Sequence, residues 1–208
     1  MKSHAHIYMP EDHMEKLYNS KNPLVRFAHR NRLENIAKAV PVGGNLKILD
    51  AGCGEGHLIE YLHSINQTHK FYGYDVTKVA VKNARKRCPY AHIEQMDMRR
   101  MNIADNFFDV IICTEVLEHV YEYQDALQEF NRALKNGGHL ILTFPNEPIW
   151  TLSRFLLGRN PIKVPDHVNS FSPKRIKPLI NGNIVFQRGL PFRLPFAISL
   201  GYLLKLQK

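Results

Sequence analysis

The stretch ILDAGCGEGHLIEYL, residues 48–62, joins an apolar run that contains Asp50 to three glycines within five positions. Glycine loses more chain entropy on folding than any other residue, so a glycine cluster marks a tight turn or a close approach of backbone to a ligand. Between a strand and a helix, such a loop presents backbone amides and the helix N-terminus to that ligand. The stretch therefore predicts a strand, a ligand-binding loop and a helix.

The spacing of these glycines separates two kinds of ligand. A dinucleotide-binding loop follows the pattern G-x-G-x-x-G and places a pyrophosphate at the helix N-terminus. This chain instead has Gly52-x-Gly54-x-Gly56, preceded by Asp50. A carboxylate repels a pyrophosphate and attracts a cationic group. The loop therefore favours a cationic ligand over a nicotinamide dinucleotide.

Short apolar runs alternate with helical patterns on either side of this loop. The patterns predict strands at 47–51, 70–75, 92–97, 107–114 and 139–144, and helices at 22–40, 58–65, 78–88 and 123–135. The segment Asn136-Gly137-Gly138 is predicted to end the last of these helices. Regular strand–helix alternation predicts an α/β fold, a doubly wound and mainly parallel sheet with helices on both faces.

The length of 208 residues suits one domain, which we divide into four parts. Residues 1–40 form an N-terminal helical segment, and 41–144 form the ligand-binding core. Residues 145–173 are proline-rich and are predicted to be an irregular lid or substrate loop at the carboxyl end of the sheet. Residues 174–208 form a basic apolar tail, for which we expect a strand and a helix or an interfacial helix, without an evident closing strand pair.

The net charge of +9 is unevenly distributed. Residues 1–150 hold 18 Lys/Arg and 18 Asp/Glu, whereas residues 151–208 hold 10 Lys/Arg and one acid, Asp166. Such asymmetry predicts either an anionic partner, which is phosphate, nucleic acid or a lipid surface, or a solubilising basic face.

Two further features indicate a cytoplasmic protein that is at most peripheral to the inner face of a membrane. Cys53, Cys88 and Cys113 show neither C-x-x-C nor metal-site spacing, so we interpret them as free thiols in a reducing compartment. Residues 1–16 lack the apolar core of a signal peptide.

Five ordered motifs carry a resemblance to a known family. They are ILDAGCGEG (48–56), Asp75 after the second strand, MDM (96–98), FDVIICTEVLEHV (108–120) and LKNGGHLILTFPN (134–146). Together they resemble the class I S-adenosylmethionine-dependent methyltransferases of the type 11-like group, nearest to the ubiquinone-pathway O-methyltransferases. This resemblance covers about residues 30 to 146 and implies S-adenosylmethionine as cofactor.

The resemblance also implies roles for individual residues. Asp50 and the glycine loop would hold the methionine end of the cofactor, and Asp75 the ribose hydroxyls. Asp97 would reach the adenine amino group beside Met98, Thr114 would lie beneath the cofactor, and Arg32 would meet its carboxylate. The residues expected to bind the cofactor are Arg32, Asp50, Gly52, Cys53, Gly54, Gly56, Asp75, Val76, Asp97, Met98 and Thr114.

The segment EVLEHV, residues 115–120, leaves three interpretations open. If helical, it places Glu115, Glu118 and His119 on one face at the carboxyl edge. His119 would then act as a general base, because its pKa lies near neutral pH. Alternatively these three side chains and His167 would bind a divalent metal, as similar E-x-x-E-H segments do in the resembling families, or the segment only seats the next helix. Without a metal, His167 would be a lid residue that lines the substrate pocket. His119 and His167 are the candidate catalytic groups.

We therefore expect transfer of a methyl group from S-adenosylmethionine to an oxygen, less readily a nitrogen, of a small or lipid-like acceptor. A basic apolar tail would suit peripheral membrane contact. One alternative is an RNA methyltransferase that uses the basic C-terminal region, although nucleic acid is the less favoured partner. Another is a non-catalytic, cofactor-binding regulatory protein.

Overall fold

The structure is a computed structural model that describes residues 20–156, 158, 160, 162, 164 and 166–208. The first 19 residues of the predicted N-terminal segment lie outside this range. The helices are α1 (Pro23–Ala39), α2 (His57–Ile65), α3 (Lys78–Arg87), α4 (Tyr123–Ala133), α5 (Glu147–Leu156) and α6 (Pro173–Ile176). The strands are β1 (Lys47–Ala51), β2 (Lys70–Asp75), β3 (His92–Gln95), β4 (Phe108–Thr114), β5 (Leu134–Pro145), β6 (Asn183–Leu190) and β7 (Gly201–Gln207).

The strands form one mixed sheet with the order β3-β2-β1-β4-β5-β7-β6. Strands β1 to β5 are parallel to one another, whereas β7 is antiparallel to both β5 and β6. The predicted α/β class with a doubly wound, mainly parallel sheet is thus confirmed. Because β1 lies between β2 and β4, the loops that leave these three strands meet at one edge of the sheet.

Local sequence features explain where the helices begin and which side they bury. The Asn22 side chain accepts a hydrogen bond from the amide of Leu24 at 2.9 Å, and Pro23 occupies the first turn of α1. On α4 the buried positions include Ala126, Leu127 and Phe130, spaced for one face of a helix. Two buried apolar clusters result, one against each face of the sheet.

The C-terminal region differs from its sequence-based prediction. Residues 183–207 form the antiparallel strands β6 and β7, not a strand and a helix or an interfacial helix. Leu203 and Leu204 are adjacent and both fully buried, since β7 lies inside the sheet and both its faces are covered. An apolar run of this kind lacks the alternation of a half-exposed strand and is therefore ambiguous in sequence.

Two further segments correct the predictions. Helix α4 ends at Ala133, and the Asn136-Gly137-Gly138 segment lies within β5 instead of capping the helix. The amide of Gly137 donates to the Lys208 carbonyl at 2.9 Å, and the Lys208 amide donates to the Gly138 carbonyl at 3.0 Å, so both glycines pair with the residue that follows β7. The segment expected to be irregular after residue 145 contains helix α5. In the described part of the chain, no helix combines the length and apolar character needed to cross a bilayer.

Candidate active site

The glycine loop after β1 is shaped by its contacts with two neighbouring segments. The amides of Gly52 and Cys53 both donate to the Tyr74 carbonyl, at 2.7 and 3.0 Å. Gly52 has a φ of +83°, and a Cβ there would lie 2.6 Å from Cγ2 of Val116 in the loop after β4. Glycine is required here for its backbone angle and for close packing.

Gly54 lies at the open side of the same loop. It has a φ of +50°, and a Cβ added to it would meet no described atom within 4 Å. Its amide donates to Oδ2 of Asp75 at 2.9 Å. Gly56 then precedes α2 with a φ of +84°, and none of the described side chains caps that helix. The loop thus forms a cradle of bare backbone next to an uncapped helix N-terminus, where a ligand could lie closely against the main chain.

Asp50 and Asp75 give this cradle a negative charge. Asp50 is 4% exposed, and no side-chain hydrogen bond or ion pair reaches its carboxylate from the described residues. Burial, and then the nearby Asp75 carboxylate, raise the pKa of Asp50 from 3.8 to about 7. A cationic ligand would favour the ionised form of Asp50 and offset the cost of burying it. The cradle and the unpaired acid together fit S-adenosylmethionine, whose methionine end carries both a sulfonium and an ammonium group.

Asp75 already organises the loop that it borders. Its Oδ2 accepts from Gly54 and its Oδ1 accepts from the amide of Thr77 at 2.8 Å. A carboxylate has about four acceptor positions, so each oxygen retains the capacity to accept from a further hydroxyl. Val76, the next residue, is exposed and offers an apolar surface to a ligand.

The other predicted cofactor residues lie in varied surroundings. Asp97 forms an ion pair with Arg99 at 2.6 Å, and Met98 is buried in a core cluster. The Cys53 thiol is buried, which raises its pKa and keeps it neutral. The Arg32 guanidinium lies 3.8 Å from the Glu115 carboxylate. Each of these cofactor assignments stays a prediction.

The loop after β4 does not form the helical face that was considered for residues 115–120. Only Leu117–His119 forms a helix, a single 3-10 turn, and Glu115 has a φ of +53°. Glu115 itself is left-handed, so its side chain does not continue one helical face with Glu118 and His119. Its amide donates to the Thr143 carbonyl, so the loop remains attached to β5.

The segment after residue 165 closes over this turn. The amides of Val168 and Asn169 donate to the Glu118 carbonyl at 2.8 and 3.0 Å. The rings of His119 and His167 meet edge to face, with centroids 4.8 Å apart. The structure therefore brings together the two predicted catalytic histidines, which are 48 positions apart in the sequence.

Hydrogen bonds fix the orientation of both histidines. Nδ1 of His119 lies 3.0 Å from the Asp166 carbonyl, and Nδ1 of His167 lies 2.5 Å from Oε1 of Glu147. A carbonyl can only accept, so His119 carries its proton on Nδ1 and keeps a lone pair on Nε2. A Glu147 carboxylate orders His167 in the same way. Burial, and then the neighbouring His167, lower the pKa of His119, which favours its neutral form.

Glu147 is a site residue that the sequence analysis missed. It is the first residue of α5 and follows directly after β5 and Asn146. Acids just beyond the carboxyl end of a parallel strand are placed near the ligand in open α/β sheets, which is the signal that could have identified it.

Several polar atoms near the ends of β4 and β5 are buried without a described partner. Glu118 is 1% exposed, and its Oε2 accepts no hydrogen bond from the described residues. Burial, and then the charge of Glu115, raise the pKa of Glu118 well above its usual value. Atoms of the same kind are found in Thr114, Thr143, Glu147 and Trp150. Buried polar atoms usually have partners, so this group indicates a place for a polar ligand.

A subset of these side chains could hold a metal ion. One ligand atom from each of Glu118, His119 and His167 lies within 4.8 Å of the others, and Glu115 is not in this group. Two imidazoles anchored through Nδ1 and one carboxylate are a donor set that suits a divalent transition metal.

Comparison with known proteins identifies a protein family that the central part of the chain matches. Residues 49–142 match the profile of a family described as "Methyltransferase domain". A "Probable S-adenosylmethionine-dependent methyltransferase" of Mycobacterium tuberculosis is 29% identical over 99 residues, which are 48% of this chain and 35% of that protein. A "Ubiquinone biosynthesis O-methyltransferase" of Xylella fastidiosa is 35% identical over 133 residues, 61% of this chain and 51% of that protein. The chain thus spans about a third to a half of the length of these relatives.

A solved structure extends the likeness to nearly the whole fold. The crystal structure of a SAM-dependent methyltransferase from Aquifex aeolicus superposes with a TM-score of 0.69 at 14% identity, covering 96% of this chain and 99% of that one. Residues 49–142 thus match a methyltransferase domain, and the fold is that of the class I S-adenosylmethionine-dependent methyltransferases. S-adenosylmethionine is the methyl donor of this family.

Proposed function

We propose that this chain transfers the methyl group of S-adenosylmethionine to a hydroxyl oxygen of a small or lipid-like acceptor. The observation that carries the proposal is the pair of adjacent imidazoles, His119 and His167, with their Nδ1 atoms anchored by Asp166 and Glu147. The lowered pKa of His119 favours its neutral form, whose Nε2 lone pair can accept a proton. A hydroxyl is a weak nucleophile until it loses its proton, and a neutral imidazole can accept that proton.

The reaction would proceed as one displacement assisted by proton removal. The acceptor oxygen attacks the methyl carbon, the carbon–sulfur bond breaks, and its electron pair returns to sulfur. The acceptor O–H bond breaks as the O–CH3 bond forms, and Nε2 of His119 accepts the proton. Alignment of the reactants and exclusion of water would supply most of the remaining rate enhancement. The segment that closes over the Glu118 turn is well placed to exclude water.

A divalent cation is a second means of activating the same acceptor, favoured by the unpartnered Oε2 of Glu118. Glu118, His119 and His167 would hold the ion, and Glu147 would orient His167. A bound divalent cation lowers the pKa of a hydroxyl that coordinates it.

One relative supports an oxygen acceptor, and a second supports an acceptor of low molecular mass. The ubiquinone biosynthesis enzyme of Xylella fastidiosa is named an O-methyltransferase, and a "Trans-aconitate 2-methyltransferase" of Variovorax paradoxus is 28% identical over 131 residues. An acceptor hydroxyl in a small or lipid-like molecule is the chemistry we carry over to this chain.

The direct test incubates the purified protein with isotope-labelled methyl donor and fractionated cell extract, and identifies the labelled product by mass spectrometry. A labelled ether or ester that fails to form with His119→Ala supports the proposal. Donor binding by calorimetry without any labelled product, or label on a nucleic acid, contradicts it. Repeating the reaction with a chelator separates the two mechanisms, because turnover that survives complete metal removal excludes the cation.

A further inference from the structure

Helix α5 has an uncovered apolar face. None of its ten residues is buried, although its sequence is amphipathic. Leu152, Phe155 and Leu156 are 51%, 62% and 73% exposed. A helix of this kind normally buries its apolar side against a core, so an exposed one marks an interaction surface.

Two other segments extend this face at the same edge of the sheet. The connection between β6 and β7 exposes Phe192, Leu194 and Ile198, and the first turns of α1 expose Leu24 and Phe27. The rings of Phe27 and Phe192 stack with centroids 5.9 Å apart, which joins α1 to that connection.

Hydrogen bonds join α5 to the same connection. The amide of Asn146 donates to the Leu200 carbonyl at 3.0 Å, and its side-chain amide donates to the Phe196 carbonyl at 2.6 Å. We call the resulting surface, formed by residues 20–31, 149–156 and 191–200, the apolar rim. Because Glu147 at the start of α5 contacts His167, the apolar rim borders the proposed acceptor site.

The charge of the apolar rim has one sign. All three of its ranges are described, and none contains an aspartate or glutamate. The cationic residues in it are Lys21, Arg26, Arg30, Arg154 and Arg193. Basic residues interspersed among exposed apolar side chains are typical of surfaces that lie on anionic membranes, where basic groups meet lipid headgroups and apolar groups enter the acyl boundary.

We propose that the apolar rim docks on an anionic lipid bilayer. A lipid surface fits better than RNA because five of the eight exposed large residues are aliphatic, and leucine and isoleucine cannot stack on bases as aromatic rings do. The apolar rim is not the whole basic tail of residues 174–208. Strands β6 and β7 of that tail belong to the sheet, and only the connection between them contributes to the apolar rim. The inference concerns lipid binding alone and does not depend on the proposed methyl transfer.

The experiment is co-sedimentation of the full chain with phosphatidylcholine vesicles that contain or lack phosphatidylglycerol. We expect binding to the anionic vesicles that weakens with salt. The double variant Leu152→Ser with Phe155→Ser should reduce the partition coefficient by at least about tenfold, since two large apolar groups no longer enter the interface. Arg193→Gln should reduce it by a smaller factor of about five.

Matched controls lie elsewhere on the molecule. Val42→Ser with Ile65→Ser removes two exposed apolar groups outside the apolar rim, and Lys86→Gln removes an exposed charge on α3. These should leave vesicle binding unchanged, and all variants should retain the parent's circular dichroism and its affinity for S-adenosylmethionine.

Three outcomes would overturn the proposal. One is no binding to anionic vesicles, and another is equal loss of binding in the control variants. The third is that the apolar rim serves another partner. In that case the Leu152→Ser/Phe155→Ser variant would keep its vesicle binding but lose either retention on an RNA column or concentration-dependent dimerisation in sedimentation velocity.

Discussion

The two halves of the sheet's carboxyl edge are built in different ways. The cofactor half, at the ends of β1 and β2, uses consecutive backbone groups from Gly52 to Gly56 braced by Asp75. The acceptor half, at the ends of β4 and β5, uses side chains from three distant segments and leaves polar atoms of Glu118, Glu147 and Trp150 without described partners. The glycine loop of the first half is held by protein contacts, although the buried Asp50 beside it has no described partner, whereas the second half leaves several buried polar atoms for a ligand to pair with.

The strongest test of the cofactor half is Asp75→Ala. It removes two hydrogen bonds that brace the loop as well as the predicted ribose contacts. Charge-assisted hydrogen bonds contribute about 1.5–3 kcal/mol each, so the affinity for S-adenosylmethionine should fall more than about 100-fold in titration calorimetry. Asp125→Asn, at an exposed acid on α4, is the control and should bind as the parent does. Parental affinity in a folded Asp75→Ala protein would refute the cofactor assignment.

The acceptor half is tested by Glu147→Gln. The amide cannot hold His167 as the carboxylate does, so we expect turnover to fall by about 10- to 100-fold. The dissociation constant for S-adenosylmethionine should not change, because Glu147 lies outside the cofactor half. A measured loss of donor affinity, with turnover preserved at saturating donor, would show that the two halves are not separate.

A pair of glycine variants separates backbone strain from packing. Gly52 lies in the cofactor half, and Gly137 is a comparison site near the start of β5, away from both halves. Gly52→Ala suffers both a positive φ and a clash with Val116, whereas Gly137→Ala has a positive φ of +78° but no described atom near its added Cβ. We expect Gly137→Ala to lower the free energy of unfolding by about 1 kcal/mol and Gly52→Ala by about 1–3 kcal/mol more. Urea denaturation measures both, and adding Val116→Ala should recover part of the larger loss. Equal losses in the two single variants would exclude the clash.

The smallest effect concerns pH and Asp50. Its folded pKa of about 7 exceeds the usual 3.8, so the folded protein without donor retains a proton that the unfolded chain releases above pH 4. This group therefore lowers stability as the pH rises from about 4 to about 7. A cationic donor favours the ionised carboxylate, so donor affinity should weaken several-fold from about pH 8 to about pH 6, with proton release on binding. Calorimetry in buffers of different ionisation enthalpy measures that release, and a signal that persists in Asp50→Asn would assign it elsewhere.

The comparison also explains how much the sequence could predict. The cofactor half could be predicted because its strand, glycines and helix follow one another within residues 47–65. The parallel arrangement of β1 to β5 could be predicted from the regular alternation of strands and helices. The left-handed backbone at Glu115 could not be predicted, since glutamate gives no sign of a positive φ. Strand β7 was missed because its buried run does not alternate.

The contact between Glu147 and His167 could not be predicted from local sequence. It depends on how α5 and the segment from 166 pack over β4 and β5, and no local pattern encodes that distance. The sequence could name both histidines as candidates but could not supply the carboxylate that orients one of them.

The position of β7 has a consequence for synthesis on the ribosome. Strand β5 ends at residue 145 and has β4 on one side, but its neighbour on the other side is β7, whose last residue is 207. During translation the nascent chain therefore carries an unpaired β5 edge while some 60 further residues are added. That edge is a template for pairing with other chains, so protection by chaperones should matter most in this interval.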